Sequence, residues 1–155
     1  TDTYPLDIIA EMRYASRIAR VVDGTHMAGR PEDLFNAATV WGANALGRPD
    51  LGRLAEGSAA DLLVIDLQDI SYGPMRDPVT ALVDFGTGKD VETVIVAGEV
   101  VIEGGTSTRV DEADIYARAQ AAATAGWDGW AKRDWANRDV ETITPPAFPT
   151  RSTGK

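Results

Sequence analysis

The chain has 155 residues, one histidine, no cysteine and a formal net charge of −9 at pH 7. Its hydrophobic content of 44% is sufficient for a packed core, whereas the negative charge argues against nucleic acid and anionic membranes as partners. Neither a targeting signal nor an apolar run of bilayer length is visible, and we therefore expect a cytoplasmic protein without a membrane partner.

Two helices are predicted before any strand. Over residues 7–22 the apolar side chains recur at helical spacing, with Asp7 placed to cap the helix and Asp23-Gly24 placed to end it. A second helix is predicted to begin at Pro31, a residue suited to a first helical turn, and to run toward Leu46-Gly47.

Strand signals follow these helices. Leu62–Ile65 is a short apolar run between two aspartates, which predicts a buried strand. Residues 94–96 and 100–102 are apolar and flank a tight Ala97-Gly98 pair, which predicts a β-hairpin. Residues 80–83 are predicted to form a short helix.

The C-terminal region is rich in alanine. Residues 111–135 favour a helix that is interrupted near Gly126 and Gly129, and an extended tail is predicted from Pro145 onward. Three tryptophans fall on that predicted helix at near-helical spacing: Trp127, Trp130 and Trp135. This spacing favours a core or interface role over a stacking platform for a ligand.

Few residues of the chain carry evident chemistry. His26 lies in a loop between helices, where a solvated histidine is more common than a catalytic one. A catalytic zinc takes about three protein ligands, and the chain lacks the histidines and cysteines that usually supply them. Gly86-Thr87-Gly88-Lys89 lacks the full spacing of a phosphate-binding loop, so a turn is predicted there.

A family pattern extends over residues 1–105. The run Ala60-Asp61-Leu62-Leu63-Val64-Ile65-Asp66, with the glycine-containing segments before it, resembles the C-terminal signature of the amidohydrolase superfamily. Residues 77–83 and 90–98 are similar to the branch that contains triazine hydrolases, cytosine and guanine deaminases, and carbamate and urea herbicide hydrolases.

The resemblance implies an α/β fold that is incomplete on its own. Residues 1–47 would form the end of a (β/α)₈ TIM-like barrel, with the last strand end and its helices. Residues 48–105 would supply the C-terminal strands of a small β-sandwich domain, and residues 106–155 a C-terminal helix and extended tail. The main partner would be the missing N-terminal portion of the same enzyme, and the complete protein would be a homo-oligomer.

The resemblance also implies which residues act. In such proteins the last barrel strand ends in Gly-Thr-Asp or a close variant, and this chain begins with Thr1-Asp2. Asp2 would bind one divalent metal ion, zinc or alternatively iron, and would shuttle a proton as a catalytic residue. Tyr4 would either flank the substrate or pack beneath a loop. The segment Thr3-Tyr4-Pro5 differs from the small or amide residues usual in the deaminases, which argues against a nucleobase deaminase.

Three functions remain open. The first is hydrolysis of C–N, C–Cl or C–S bonds in small neutral molecules such as triazines, ureas, carbamates or cyclic amidines, by metal-activated water with Asp2 as proton shuttle. The second is an N-terminal nucleophile hydrolase, in which the α-amine of Thr1 activates its own hydroxyl. The third is a non-catalytic interaction module. We favour the first.

Overall fold

The computed structural model describes residues 6–148. The chain divides into two compact units, Thr1–Arg109 and Val110–Lys155. The first unit combines helices with a four-stranded antiparallel sheet, and the second is helical. The domain boundaries predicted at residues 47 and 105 concern the complete protein and stay predictions. Within residues 6–148, no helix has the length and apolar character needed to span a bilayer.

The first helix confirms the predicted start and end. Helix α1 comprises Ile8–Asp23, and the Asp7 Oδ1 atom accepts hydrogen bonds from the backbone N–H groups of Ile9 (3.0 Å) and Ala10 (3.1 Å). Gly24 follows in the left-handed conformation, with φ of 64°, which is a common way for a helix to end.

The second predicted helix is present, but a π-helical turn interrupts it. Helix α2 (Pro31–Asn36) continues into the π-helical turn Ala37–Trp41 and then into α3 (Gly42–Ala45). The backbone of Gly52 lies against this turn, because a Cβ atom at Gly52 would be 2.5 Å from the Thr39 carbonyl oxygen. Gly52 lies outside the predicted helix, so the helical pattern of the sequence does not indicate this contact.

The sheet has the order β1-β2-β3-β4. Its strands are Leu62–Ile65, Val91–Val96, Glu99–Glu103 and Thr106–Ser107. The predicted hairpin is confirmed: Ala97 (φ 51°) and Gly98 (φ 83°) both have positive φ, as a two-residue type I′ turn requires. The Asp61 carboxylate supports this turn by accepting a hydrogen bond of 2.6 Å from the Ala97 N–H.

The prediction that Leu62–Ile65 is a buried strand was wrong about burial. The strand is present, yet Leu63 and Val64 are 51% and 45% exposed. Within the described residues, β1 pairs only with β2 and therefore forms an edge of the sheet. An apolar run can predict a strand, but the burial of that strand depends on which other elements pack on its faces.

The core of the first unit is small and mainly helical. Helix α4 (Pro78–Phe85) confirms and extends the short helix predicted at residues 80–83. Its buried side chains Leu82 and Val83 pack with Ile9 and Met12 of α1. Short 3₁₀ helices precede and follow α4, at Ile70–Tyr72 and Gly88–Asp90.

In the second unit, the tryptophans lie elsewhere than the sequence predicted. Helix α5 (Glu112–Asp128) runs through Gly126 and ends at Gly129, and α6 (Val140–Ile143) follows later in the chain. Trp127 lies on α5, whereas Trp130 and Trp135 lie in the turns after it. The prediction of three tryptophans on one helix was therefore wrong, because the helix ends before the second of them.

Candidate functional site

The two residues predicted to act in the site, Asp2 and Tyr4, lie outside the described residues. Their assignment as metal ligand, proton shuttle and substrate contact therefore stays a prediction. The structure does describe the segment that follows them, from Leu6 into α1. What it shows is how the beginning of α1 is held.

Asp7 joins the first turn of α1 to a distant loop. One carboxylate oxygen, Oδ1, caps the helix, while the other, Oδ2, accepts a hydrogen bond of 2.9 Å from the Gly88 N–H. Gly88 is 81 residues away in the sequence. Both oxygens of one carboxylate are thus engaged, and the beginning of α1 is tied to the segment between α4 and β2.

Asp90 organises the loop that Asp7 contacts. Its Oδ2 atom accepts hydrogen bonds from the Tyr72 hydroxyl (2.6 Å), the Thr87 N–H (2.7 Å) and the Thr87 hydroxyl (3.1 Å). Burial opposes the charge on Asp90, but the hydrogen bonds from Tyr72 and Thr87 outweigh it and hold the pKa of this carboxyl below its ordinary value. The pKa of Tyr72 is raised, chiefly by burial and secondly by the hydrogen bond to Asp90. The pair therefore stays as carboxylate and neutral phenol at neutral pH.

We expect Tyr72→Phe to lower the free energy of unfolding by ~1–2 kcal/mol at pH 7, because a hydrogen bond to a charged acceptor is lost. The folded-state pKa of Asp90 lies below the ordinary 3.8, so this stabilisation is fully present above pH 3.8 and is lost as the pH falls through the folded-state value. Urea titrations of both proteins at pH 7 and at about pH 3 measure the difference.

The matched control for that prediction is Tyr14→Phe, which removes the same hydroxyl from a side chain that is 55% exposed. It is expected to change the free energy of unfolding by less than ~0.5 kcal/mol. Equal losses in the two variants, or a Tyr72→Phe loss that does not shrink in acid, would contradict the role assigned to the Tyr72–Asp90 pair.

Arg13 provides a second connection between α1 and the same loop. Its guanidinium Nη2 donates a hydrogen bond to the Gly86 carbonyl oxygen. Glycine also fits tightly at this position, since a Cβ atom there would lie 2.5 Å from the Leu82 carbonyl oxygen and 3.1 Å from the Ile9 side chain. The loop after α4 is thus held against α1 by Arg13 on one side and by Asp7 on the other.

The segment Gly86-Thr87-Gly88-Lys89, predicted to be a turn, leads into the 3₁₀ helix Gly88–Asp90, and two of its amide groups are engaged by carboxylates. The N–H groups of Thr87 and Gly88 donate to the carboxylates of Asp90 and Asp7. In a phosphate-binding loop such amides point at the ligand. Here two side chains of the protein itself take that place, so the segment has a structural role.

The described residues do not supply a metal site. Residues 6–148 contain no group of three or more His, Cys, Asp or Glu side chains that could hold a metal ion. His26 is exposed in the loop after α1, in agreement with the solvated role expected for it. A metal implied by resemblance would therefore depend on Asp2 and on ligands outside the described residues, since a catalytic metal takes about three protein ligands.

An apolar groove lies between the helical segment and the sheet. It has a volume of about 600 Å³ and is lined by residues of α2, the π-helical turn, β1 and β2, and by Leu54, which is 84% exposed. Two of its polar lining groups are engaged: Arg53 donates to the Asn44 side chain and Asp61 accepts from Ala97. An exposed apolar surface of this kind is typical of a contact with another protein segment.

In the second unit, the side chain of Arg138 contacts those of Asp134 and Trp135. The Arg138 guanidinium lies 5.3 Å from the centre of the Trp135 ring and pairs with Asp134 at 2.8 Å. The hydrogen bonds from Arg138 hold the pKa of Asp134 far below its ordinary value. The Arg138–Asp134 pair thus organises the turn after α5.

Sequence reasoning missed most of the network around α1. Tyr72 and Arg13 carry no local signal, because each meets its partner through the tertiary fold. Thr87 and Asp90 do carry one: a Thr followed three residues later by an acidic residue is the spacing of a capping box, and the structure contains that box. The pattern could have been detected from the sequence.

Comparisons with known proteins agree with the resemblance. A sequence profile of the Amidohydrolase family matches residues 1–101. A 5-methylthioadenosine/S-adenosylhomocysteine deaminase from Pyrococcus abyssi is 40% identical over 107 residues, which cover 69% of this chain and 25% of that protein. The same-named enzyme from Pelotomaculum thermopropionicum is 38% identical over 118 residues, covering 76% of this chain and 27% of that protein. The chain thus spans about a quarter of the length of the curated relatives it matches.

Solved structures give the same result. An adenosine deaminase from Xanthomonas campestris with bound zinc superimposes with a TM-score of 0.72 at 27% identity, over 76% of this chain and 27% of that one. Atrazine chlorohydrolase from Arthrobacter aurescens, complexed with zinc, superimposes with a TM-score of 0.65 at 31% identity, over 73% of this chain and 25% of that one. By sequence and by structure, the chain belongs to the amidohydrolase family.

Proposed function

We propose that this chain is the C-terminal part of a metal-dependent hydrolase that cleaves a C–N bond of a small neutral molecule. The observation that carries the proposal is the family match over residues 1–101, which includes Asp2. In the complete protein, residues 1–47 would close a (β/α)₈ barrel, and the strands of residues 48–105 would join a small β-sandwich. The apolar groove between α2 and β1, about 600 Å³ in volume, would be covered by the N-terminal portion of the same protein.

Asp2 would be the catalytic contribution of this chain. Active sites of such barrels lie at the C-terminal ends of the strands, and Asp2 would occupy the end of the last one. A divalent metal, zinc by analogy with the zinc-bound relatives, would activate the attacking water. The Asp2 carboxylate can hold that water by a hydrogen bond, accept its proton, and return the proton to the departing nitrogen.

The names of the relatives support a narrower class of substrate for the proposed hydrolase. Adenosine and the triazines share an electron-poor, nitrogen-containing ring with a leaving group on a ring carbon, and the aminopurine ring contains a cyclic amidine. Relatives named for both kinds of substrate resemble this chain. The segment Thr3-Tyr4-Pro5 argued against a free nucleobase as substrate, whereas the relatives are named for nucleosides. We therefore propose hydrolytic removal of an amino group from such a ring in a nucleoside or a triazine, with ring chloride as a second leaving group.

Assays of the complete zinc-supplied protein test this function. We expect ammonia release from adenosine, 5′-methylthioadenosine or S-adenosylhomocysteine, with kcat/KM of ~10⁴ M⁻¹s⁻¹ or more for the natural substrate class. Chloride release from a chlorotriazine tests the second leaving group. Release of neither product from any of these compounds would overturn the proposed function and would favour a non-catalytic module.

A further inference from the structure

The two oxygens of the Asp7 carboxylate perform different tasks. Oδ1 satisfies the first N–H groups of α1, which any Ser, Thr, Asn or Asp at a helix start can do. Oδ2 instead reaches the backbone of Gly88, which lies on a different part of the chain. A helix cap alone does not require this second contact. Asp77, which caps α4, uses its second oxygen locally, on the Thr80 hydroxyl.

The loop that receives this contact is itself held in place. The side chain of Asp90 binds Tyr72 and both the N–H and the hydroxyl of Thr87, immediately before Gly88. Position 88 also suits the contact, because a Cβ atom there would lie 3.3 Å from Asp7 Oδ2, closer than ordinary van der Waals separation. Asp7 thus connects the first turn of α1 to an anchored segment.

We propose that Asp7 is a positioning residue, which fixes the chain entering α1 through its hydrogen bond to Gly88 and thereby sets the position of Asp2. The inference rests on the proposed function, in which Asp2 moves protons at the reacting atoms. The proposal requires that a shift of the first turn of α1 reaches Asp2, and only four residues lie between the two aspartates in the sequence. Displacement of a catalytic group by about 1 Å can cost ~10²-fold in rate.

Asp7→Asn in the complete protein separates the two tasks. The asparagine Oδ1 still caps α1, whereas its amide nitrogen cannot accept the Gly88 N–H. We expect kcat to fall by ~10-fold or more while KM changes by less than ~2-fold, because orientation in the transition state is affected more than binding. Residue-level hydrogen exchange should show faster exchange at the Gly88 amide and unchanged protection at Ile9 and Ala10.

Asp77→Asn is the matched control. It makes the same change at a helix cap whose second oxygen is bound by the Thr80 hydroxyl, a group that can turn and accept a hydrogen bond from the new amide. Its kcat is expected to stay within ~2-fold of the wild type. Gly88→Ala supplies a second variant should Asp7→Asn fold poorly, because it keeps the carboxylate but displaces it; the same kcat loss, at smaller amplitude, is expected.

The outcomes are distinguishable. Equal kcat values in Asp7→Asn and Asp77→Asn, with faster exchange at Gly88 only in the former, would show that the bridge exists but does not position the site. Unchanged exchange at Gly88 would show that the bridge itself is wrong. Should the wild-type protein turn over no substrate of the panel, the proposed function fails and the positioning role fails with it, while the exchange experiment still decides on the bridge.

Discussion

Replacement of Asp2 by asparagine in the complete protein is expected to lower kcat by at least ~10²-fold, within the range that general acid–base groups supply. The amide keeps the shape of the side chain but cannot accept a proton from the attacking water. We also expect weaker metal retention, because an amide oxygen is a poorer ligand than a carboxylate. Steady-state kinetics, metal analysis and circular dichroism of the purified variant measure the three effects.

Thr1→Ala is the companion variant, and it separates two of the functions that the sequence left open. The change should be mild if Asp2 is the proton shuttle and should abolish activity if the Thr1 hydroxyl is a nucleophile. Near-normal turnover of Asp2→Asn with its metal content restored would remove Asp2 from the catalytic residues. Loss of activity in Thr1→Ala alone would favour the N-terminal nucleophile instead.

Gly52→Ala is expected to destabilise the first unit by ~2–4 kcal/mol. Gly52 has φ of +69°, where an alanine costs about 1 kcal/mol or more relative to glycine. Its new Cβ would in addition lie 2.5 Å from the Thr39 carbonyl oxygen and 2.7 Å from the Thr39 carbonyl carbon. Backbone atoms cannot turn aside as a side chain can, so the π-helical turn must move, at a further cost of ~1–3 kcal/mol.

The control for this prediction is Gly57→Ala. Gly57 also has a positive φ, of +81°, but apart from Gly57 and its two chain neighbours none of the described residues has an atom within 4 Å of the position that a Cβ atom would take there. It should therefore lose only the conformational contribution of about 1 kcal/mol. Urea unfolding followed by tryptophan fluorescence compares the two variants, and Trp41 lies within the turn that Gly52 contacts. Equal losses at the two positions would mean that the approach of Gly52 to Thr39 does not matter for stability.

Local signals in the sequence predicted several elements correctly. Asp7 and Gly24 mark the ends of α1, and the Ala97-Gly98 pair forms the hairpin turn. Each of these features depends on residues within a few positions of one another. The residue types that cap a helix or form a two-residue turn are specific, which is why a pattern in the sequence suffices to find them.

Contacts between distant segments account for what the sequence analysis missed. The bond from Gly88 to Asp7 spans 81 residues, and the bond from Tyr72 to Asp90 spans 18. The π-helical turn at Ala37–Trp41 packs against Gly52, a residue outside the helix. None of these pairings has a periodicity or a turn signature, so no sequence window of helical or strand length contains the information.

The amino-acid sequence by itself determined the family of this protein, the helix ends at Asp7 and Gly24, and the hairpin at Ala97-Gly98. Only the tertiary structure decided that β1 lies at a sheet edge with Leu63 half-exposed, and that Asp7 contacts Gly88. The physical reason is that capping and turn formation depend on short-range backbone geometry. Burial and long-range hydrogen bonds depend instead on which segments the folded chain brings together.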